Sequence, residues 1–333
     1  MIESKSALVD FDDIEPTWRE TTIEEFKKLP VFFNSYFINR KKDASSSSVI
    51  GIIKKVTKGT DYFAFICAIV NYQTDVQTVL IPMLDGLQTT IGVDFEQFLD
   101  LSAEKVKEIL QTFHWTFINS KGDPVSKQGW VHRFENIDRL SCVLAKMRSI
   151  KVSGGLKATA KRLFKGNFKQ FLESFLETLR NPQTCGNCTS CKGDLCKKIF
   201  SDSKITAQSC LKRYLLFLRW MVRKDEIDLG LWSDIIDKKQ LLVPLDLTIK
   251  RVCARVGVVE SEDGCVWREV VKITKFFREL NPDDPISFDF PISRLGIMKF
   301  CVKEMASCKC FACPLTGVCK AKKNLGLDQF GGK

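Results

Sequence analysis

Histidine is nearly missing from this chain of 333 residues, with only His114 and His132 present. Neither lies beside a cysteine cluster, so both read as structural side chains rather than metal ligands. Long apolar runs are missing as well. The longest strongly apolar stretch, Tyr62–Val70, falls far short of the ~20 residues that a membrane-spanning helix needs, so no membrane partner is expected. Met1–Pro16 (MIESKSALVDFDDIEP) is acidic and lacks the basic, apolar, small-residue order of a secretory signal. The expected location is therefore the cytoplasm. No strand period is sustained and no solenoid repeat is present, which leaves an all-α fold of short helices as the expectation.

What the chain does have is apolar bulk, positive charge and cysteine. Hydrophobic residues make up 44% of it and phenylalanine alone contributes 25, enough to build a core and exclude wholesale disorder. The 51 Lys+Arg against 40 Asp+Glu give +11, which favours a polyanionic partner. Lys151–Gln170 carries six basic residues and no acidic one, the densest basic stretch in the chain. Of the 14 cysteines, eight fall in two short clusters. In a reducing compartment such spacing suits metal ligation better than disulfides.

Helices are predicted at Thr22–Lys28, from Asp61 through the apolar run to about Gln73, and at Asp75–Leu87, Phe95–Leu101 and Val106–Phe113, the last with Ser102 as N-cap. Others follow at Val131–Ser149, Phe171–Arg180, Leu211–Val222, Leu247–Val256, Val266–Leu280 and near Ile292–Met305. Phe32–Phe37 is an aromatic patch, the low-complexity run Ala44–Ser48 reads as a surface loop, and the polar stretch Arg223–Lys239 reads as a connection.

The carboxyl-terminal segment Cys301–Cys319 reads CVKEMASCKCFACPLTGVC, with two residues between Cys310 and Cys313 and five between Cys313 and Cys319. Thiolates this close converge on an iron–sulfur cube or a tetrahedral zinc, and spacing alone leaves both open. The surrounding sequence resembles the endonuclease III group of helix-hairpin-helix DNA glycosylases, which ends in four cysteines around a [4Fe–4S] cluster with the same last two gaps. The resemblance implies Cys301, Cys310, Cys313 and Cys319 as ligands, with Cys308 as a substitute, because the first gap here is eight residues against the family's six.

The likeness runs from about Asp61 to Lys320. FAFICAIVNYQTDVQTVLIPML (Phe63–Leu84) is similar to the family's buried helix and places Gln73 where a glutamine fills the space left by an extruded base. PLDLTIKRVCARVGV (Pro244–Val258) is similar to the segment bearing the family's catalytic aspartate and an arginine, which falls on Asp246 and Arg251. Lys212 aligns with the lysine that forms a Schiff base in lyase members. The Ala207–Leu211 hairpin lacks the family's glycines, and the interval from Lys212 to Asp246 is longer. A poorly characterised prokaryotic branch is more similar still, sharing segments like Lys212–Trp232, Pro244–Asp246 and Pro282–Phe290.

The resemblance implies a two-lobed helical glycosylase fold. Residues 1–59 would form an N-terminal segment partly packing on the C-terminal lobe, 60–240 a helical barrel lobe, and 241–333 a C-terminal lobe with the cluster loop at 301–319. The implied function is a DNA glycosylase in base excision repair, acting as a monomer at the nucleoid. It would bind double-stranded DNA and flip a damaged or mismatched base out of the duplex. Asp246 would stabilise the positive charge that develops on the sugar, and Lys212 would add AP-lyase activity.

Lys157, Lys161, Arg162 and Lys165 would bind phosphates. Trp130–Phe134 would stack on the base, or pack in the core. CGNCTSCKGDLC supplies Cys185, Cys188, Cys191 and Cys196, which suit zinc or a second cluster. The rival readings are a non-catalytic nucleic-acid-binding or redox-sensing protein on the same scaffold, and an enzyme acting on RNA.

Overall fold

The structure, a computed structural model, describes residues 20–30, 48–72, 74–132, 136–181 and 209–323. Phe32–Phe37, Gln73, Phe134 and the cluster Cys185–Cys196 lie outside the described residues. The described residues are mostly helical, and none of their helices is long and apolar enough to cross a membrane. The chain divides into two compact units. One gathers the described residues within Met1–Asn39, Thr206–Lys212 and Leu242–Lys333; the other gathers those within Arg40–Ile205 and Arg213–Leu241.

Residues 20–30 form α1, in the first unit. The second unit runs through α2 (Val49–Ile53), α3 (Thr60–Val70), α4 (Ile81–Ile91), α5 (Phe95–Asp100), α6 (Ala103–Thr112), strands β1 (His114–Ile118) and β2 (Pro124–Gln128), α7 (Ile137–Val152), α8 (Leu156–Leu163), α9 (Phe168–Arg180) and α10 (Lys212–Val222), whose first residue clusters with the other unit. Helix α3 is apolar all round because it is covered all round. Every residue from Tyr62 to Val70 is buried, with α2, α5, α7 and α8 packed against it. Phe217 of α10 stands edge-on to both Phe65 and Trp232, at 5.2 Å in each case, and stacks with Phe175 at 6.3 Å.

Two sequence expectations are corrected in this unit. The span Asp75–Leu87 is a π-helical turn, Val76–Leu80, leading into α4. Pro82 has no N–H to donate to the carbonyl of Thr78, so the chain widens to bonds such as Leu80 N–H to Asp75 O at 2.9 Å. The helix expected from Val131 starts at Ile137, where Asn136 Oδ1 accepts from Arg139 N at 2.9 Å. The all-α expectation stands for the mostly helical fold, with one small β-hairpin beside the helices that pairs His114 with Gln128 through Ile118 with Pro124. Its strands are five residues long and mostly exposed, too short to display a period of two. The hairpin is anchored by Trp115, whose indole N–H donates to Gly129 O at 3.0 Å. Gly86 of α4 lets Trp115 in, since a Cβ there would lie 2.6 Å from Trp115 Cβ.

The polar connection after α10 is organised by one carboxylate. Asp228 is fully buried, and its Oδ2 accepts from Arg219 Nε at 3.1 Å and Arg223 Nη1 at 2.5 Å. Removing one partner of a buried ion group leaves charge without compensation. Asp228→Ala should therefore destabilise the protein by about 3–5 kcal/mol in urea unfolding.

Asp61, in the first turn of α3, behaves in the opposite sense. Burial pushes its carboxyl from 3.8 up to about 6, although the Tyr62 N–H donates to it. A raised folded-state value means stability that is full below the unfolded value and lost as pH rises through about 6. Asp61→Asn should flatten that dependence and add ~1–3 kcal/mol at neutral pH, read from urea midpoints across the range.

The first unit comprises α1, α11 (Leu247–Arg255), α12 (Trp267–Leu280), α13 (Asp289–Ile297) and the short α14 (Lys320–Lys323). Phe26 of α1 meets Phe276 of α12 edge-on at 5.2 Å. Helix α11 packs on α13, where Gly296 allows close approach: a Cβ there would lie 2.6 Å from Thr248 Cγ2. Val243 N donates to Thr274 Oγ1 at 3.0 Å, which pins the extended segment ahead of α11 to α12. The last helix, expected near Ile292–Met305, ends at Ile297. Lys299 turns into the left-handed region at φ 62°, and the chain leaves as the cysteine loop.

Candidate functional site

Asp246 begins α11 from an extended conformation, and its Oδ1 accepts from Thr248 N and Ile249 N, both at 2.9 Å. This is an N-cap, as the residue type and its place before the helix suggest. The other oxygen, Oδ2, faces Lys212 Nζ at 3.7 Å. Both side chains are about 30% accessible, at 28% and 30%. A carboxylate and an amine are thus brought together within one unit from segments distant in sequence.

The backbone that delivers Lys212 is strained. Leu211 is buried and sits in the left-handed region at φ 50°, which costs a residue with a Cβ roughly 1–2 kcal/mol. Among residues 209–211, Leu211 takes the backbone state that glycine usually supplies. Ser209 Oγ accepts from Leu211 N at 3.3 Å. When protonated, Cys210 Sγ donates to Leu245 O at 3.5 Å, joining the residue next to Leu211 to the residue before Asp246.

Arg251 does not join this pair. Its Nε lies 3.6 Å from Glu262 Oε2, a carboxylate that Arg255 also holds through Nε at 2.8 Å and Nη2 at 3.0 Å. Lys157, Lys161, Arg162 and Lys165 are exposed on the second unit. Lys157 pairs with Asp234 at 2.9 Å. His132 Nε2 makes a 2.9 Å hydrogen bond with Val70 O, and its ring meets those of Tyr72 at 5.5 Å and Trp130 at 6.4 Å.

In the carboxyl-terminal loop, Cys301, Cys310, Cys313 and Cys319 all line one cavity of about 390 Å3, counting its open mouth, together with Val252 and Arg255. Cys308 does not line it. Its sulfur accepts from Arg255 Nη1 at 3.2 Å and from Val302 N at 3.3 Å. Burial pushes Cys301 up to about 12 and Cys313 to about 11, and neighbouring thiols add to both. Such a group of thiols resists ionising without a cation at its centre. No three Cys, His, Asp or Glu side chains among the described residues are gathered tightly enough for one metal ion. Zinc needs all its sulfurs about 2.3 Å from a point. A cube instead gives each thiolate its own iron and lets the sulfurs stand apart.

Two features escaped the sequence reading. Arg255 caps the cavity with donors to Cys301 Sγ at 3.5 Å, to Cys308 and to Lys303 O, yet in sequence it is one more basic residue of an amphipathic helix. Cys210 Sγ lies 3.5 Å from the Leu245 carbonyl oxygen, and the Cys265 thiol holds the Cys210 thiol below its usual range. No short spacing joins them, so nothing marks them as a pair.

The cap and any chemistry of Asp246 are separable. Asparagine caps as well as aspartate. Asp246→Asn should leave the thermal midpoint nearly unchanged, whereas Asp246→Ala should cost about 1 kcal/mol.

No curated protein and no solved structure matches the chain. A protein-family model does, over residues 50–298, a span that holds Cys210, Lys212, Asp246 and Cys265 and stops just short of Cys301. The chain therefore belongs to the family described as protein of unknown function DUF2400.

Proposed function

We propose that this protein is a DNA glycosylase with AP-lyase activity, acting on a damaged or mismatched base. The observation that carries the reading is the approach of Lys212 Nζ to Asp246 Oδ2 at 3.7 Å, with both groups reachable from solvent. A carboxylate pinned through one oxygen keeps the other in a fixed position, where it can stabilise positive charge growing on a deoxyribose as the base departs. It also gives the lysine a proton acceptor close by. The freed amine attacks the anomeric carbon, the base leaves, and the Schiff base so formed allows strand cleavage by elimination. Lys157, Lys161, Arg162 and Lys165 supply phosphate contacts, and Gln73 and Arg251 serve on the DNA side.

The four cysteines lining the loop cavity fit a [4Fe–4S] cluster as donors, with Cys308 left to Arg255. When bound, the cluster ties the loop by metal–thiolate bonds in place of a larger apolar core. Cys185, Cys188, Cys191 and Cys196 are assigned to zinc or a second cluster.

The test incubates the protein with duplexes bearing different lesions, with and without borohydride. Asp246→Asn should lower base release by roughly 10²–10³-fold, and Lys212→Ala should abolish covalent trapping while leaving base release measurable. If no lesion duplex yields abasic sites and neither substitution alters any activity, the enzymatic reading is wrong. A scaffold that only binds nucleic acid then stands in its place. Loss of iron and of the visible absorbance in Cys313→Ser would support the cluster; iron-free protein that folds and absorbs like wild type would exclude it.

A further inference from the structure

Thr316 stands in the cysteine loop between Cys313 and Cys319, and it lines the same cavity of about 390 Å3 as the four cysteines. Its backbone is fixed. Thr316 N donates to Cys313 O at 3.1 Å, Val318 N donates to Leu315 O at 3.2 Å, and Leu315 and Val318 are both buried. A β-branched side chain on such a backbone has few rotamers to choose from, so the hydroxyl is held at the cavity wall.

That hydroxyl has no use inside the protein. Thr316 Oγ1 is buried and makes no hydrogen bond with any described residue. Other threonines of the chain donate to a carbonyl one turn back: Thr60 to Val56 O at 2.7 Å, Thr112 to Glu108 O at 2.7 Å and Thr274 to Val270 O at 2.6 Å. A buried hydroxyl left without a partner costs about 1–3 kcal/mol, and one on a cavity wall points to a group that belongs in the cavity.

The chemistry of that group follows from the rest of the wall. Val252, Val256, Leu295 and Phe300 stand beside the cysteines and offer carbon alone from their side chains. Arg255 is a donor, already engaged with Glu262, with Lys303 O and with Cys301 Sγ at 3.5 Å. The acceptors that remain are sulfurs. A neutral thiol accepts weakly, whereas a sulfur carrying negative charge takes a strong, charge-assisted hydrogen bond.

Resting on the cluster assigned to Cys301, Cys310, Cys313 and Cys319, we propose that Thr316 donates its hydroxyl hydrogen to a sulfur of that [4Fe–4S] cluster and raises its reduction potential. Each electron taken up adds one negative charge to the iron–sulfur core and its thiolates, with no bond made or broken and no proton moved. A donor on sulfur stabilises the more negative state more than the less negative one, so the reduced form gains. Arg255 acts on Cys301 in the same sense from α11. Thr316 differs in having no other partner among the described residues, so its whole donor capacity is open to the cluster.

The experiment compares full-length wild type, Thr316→Val and Thr316→Ser, purified without oxygen, in iron content, thermal midpoint and one-electron midpoint potential read by film voltammetry. Valine keeps the branched shape and removes the hydroxyl; serine keeps the hydroxyl and removes the methyl group. Iron content and thermal midpoint should be alike in all three. At the wild-type midpoint, the ratio of oxidised to reduced cluster in Thr316→Val should rise about tenfold, a potential lower by about 59 mV for a one-electron couple. Thr316→Ser should match wild type.

A cluster lost from Thr316→Val and kept in Thr316→Ser would support the same donor. Equal potentials in wild type and Thr316→Val, at equal iron, would overturn it and leave the cluster assignment standing, with the hydroxyl serving a buried water. Iron lost from both variants would also overturn it, because packing of the side chain rather than its hydroxyl would then hold the loop. Iron-free wild type would overturn the donor and the cluster together.

Discussion

One oxygen of Asp246 is bound to the backbone, and the geometry around the site follows from that commitment. By accepting from Thr248 N and Ile249 N, Oδ1 fixes the start of α11 and the rotamer of its own side chain. Only then can Oδ2 be held opposite Lys212. The partner side is fixed as firmly, through a buried leucine kept in a left-handed conformation just ahead of the lysine. Strain of this kind persists where packing over-determines it, and such places are often functional. A cap and a strained residue, each common alone, here position two groups with complementary charge.

Helices with one apolar stripe, or with apolar residues on every side, were legible in the sequence because their burial follows the helical period. Helix α3 is the plainest case, and the Ser102 cap of α6 was likewise readable, with Lys105 N donating to Ser102 Oγ at 3.2 Å. What escaped was set by particular local events. Pro82 widened a helix into a π-turn, Lys299 ended another early, and the β-hairpin had too few alternating positions to register. The site followed the same rule. Asp246 and the four cavity cysteines stand in short motifs and were named from the resemblance those motifs carry. Arg255, Cys210 and Cys265 are brought to their places by tertiary structure alone, so no spacing marks them.

The two sulfur environments of the first unit have opposite chemistry. In the loop cavity, burial and neighbouring thiols disfavour ionisation at several cysteines at once, with Arg255 donating to Cys301 Sγ. Beside Lys212, by contrast, the Cys265 thiol holds the Cys210 thiol below its usual range. Several thiols held this close ionise together only if a cation absorbs their charge. One thiol lowered by its neighbour raises no such demand. Cysteine count alone does not distinguish these roles; the number of neighbouring thiols and the placement of nearby cations do.

Gly296 deserves a mechanical reading. Its missing side chain seats the backbone of α13 against Thr248, the residue whose N–H Asp246 caps. Helix α13 leads within a few residues into Cys301. Cys301 N–H donates back to Leu295 O at 3.0 Å, so the start of the cysteine loop and the cap of α11 meet at one joint, with no compressible side chain between them. Whatever holds the loop in place also sets how far the start of α11 can slide.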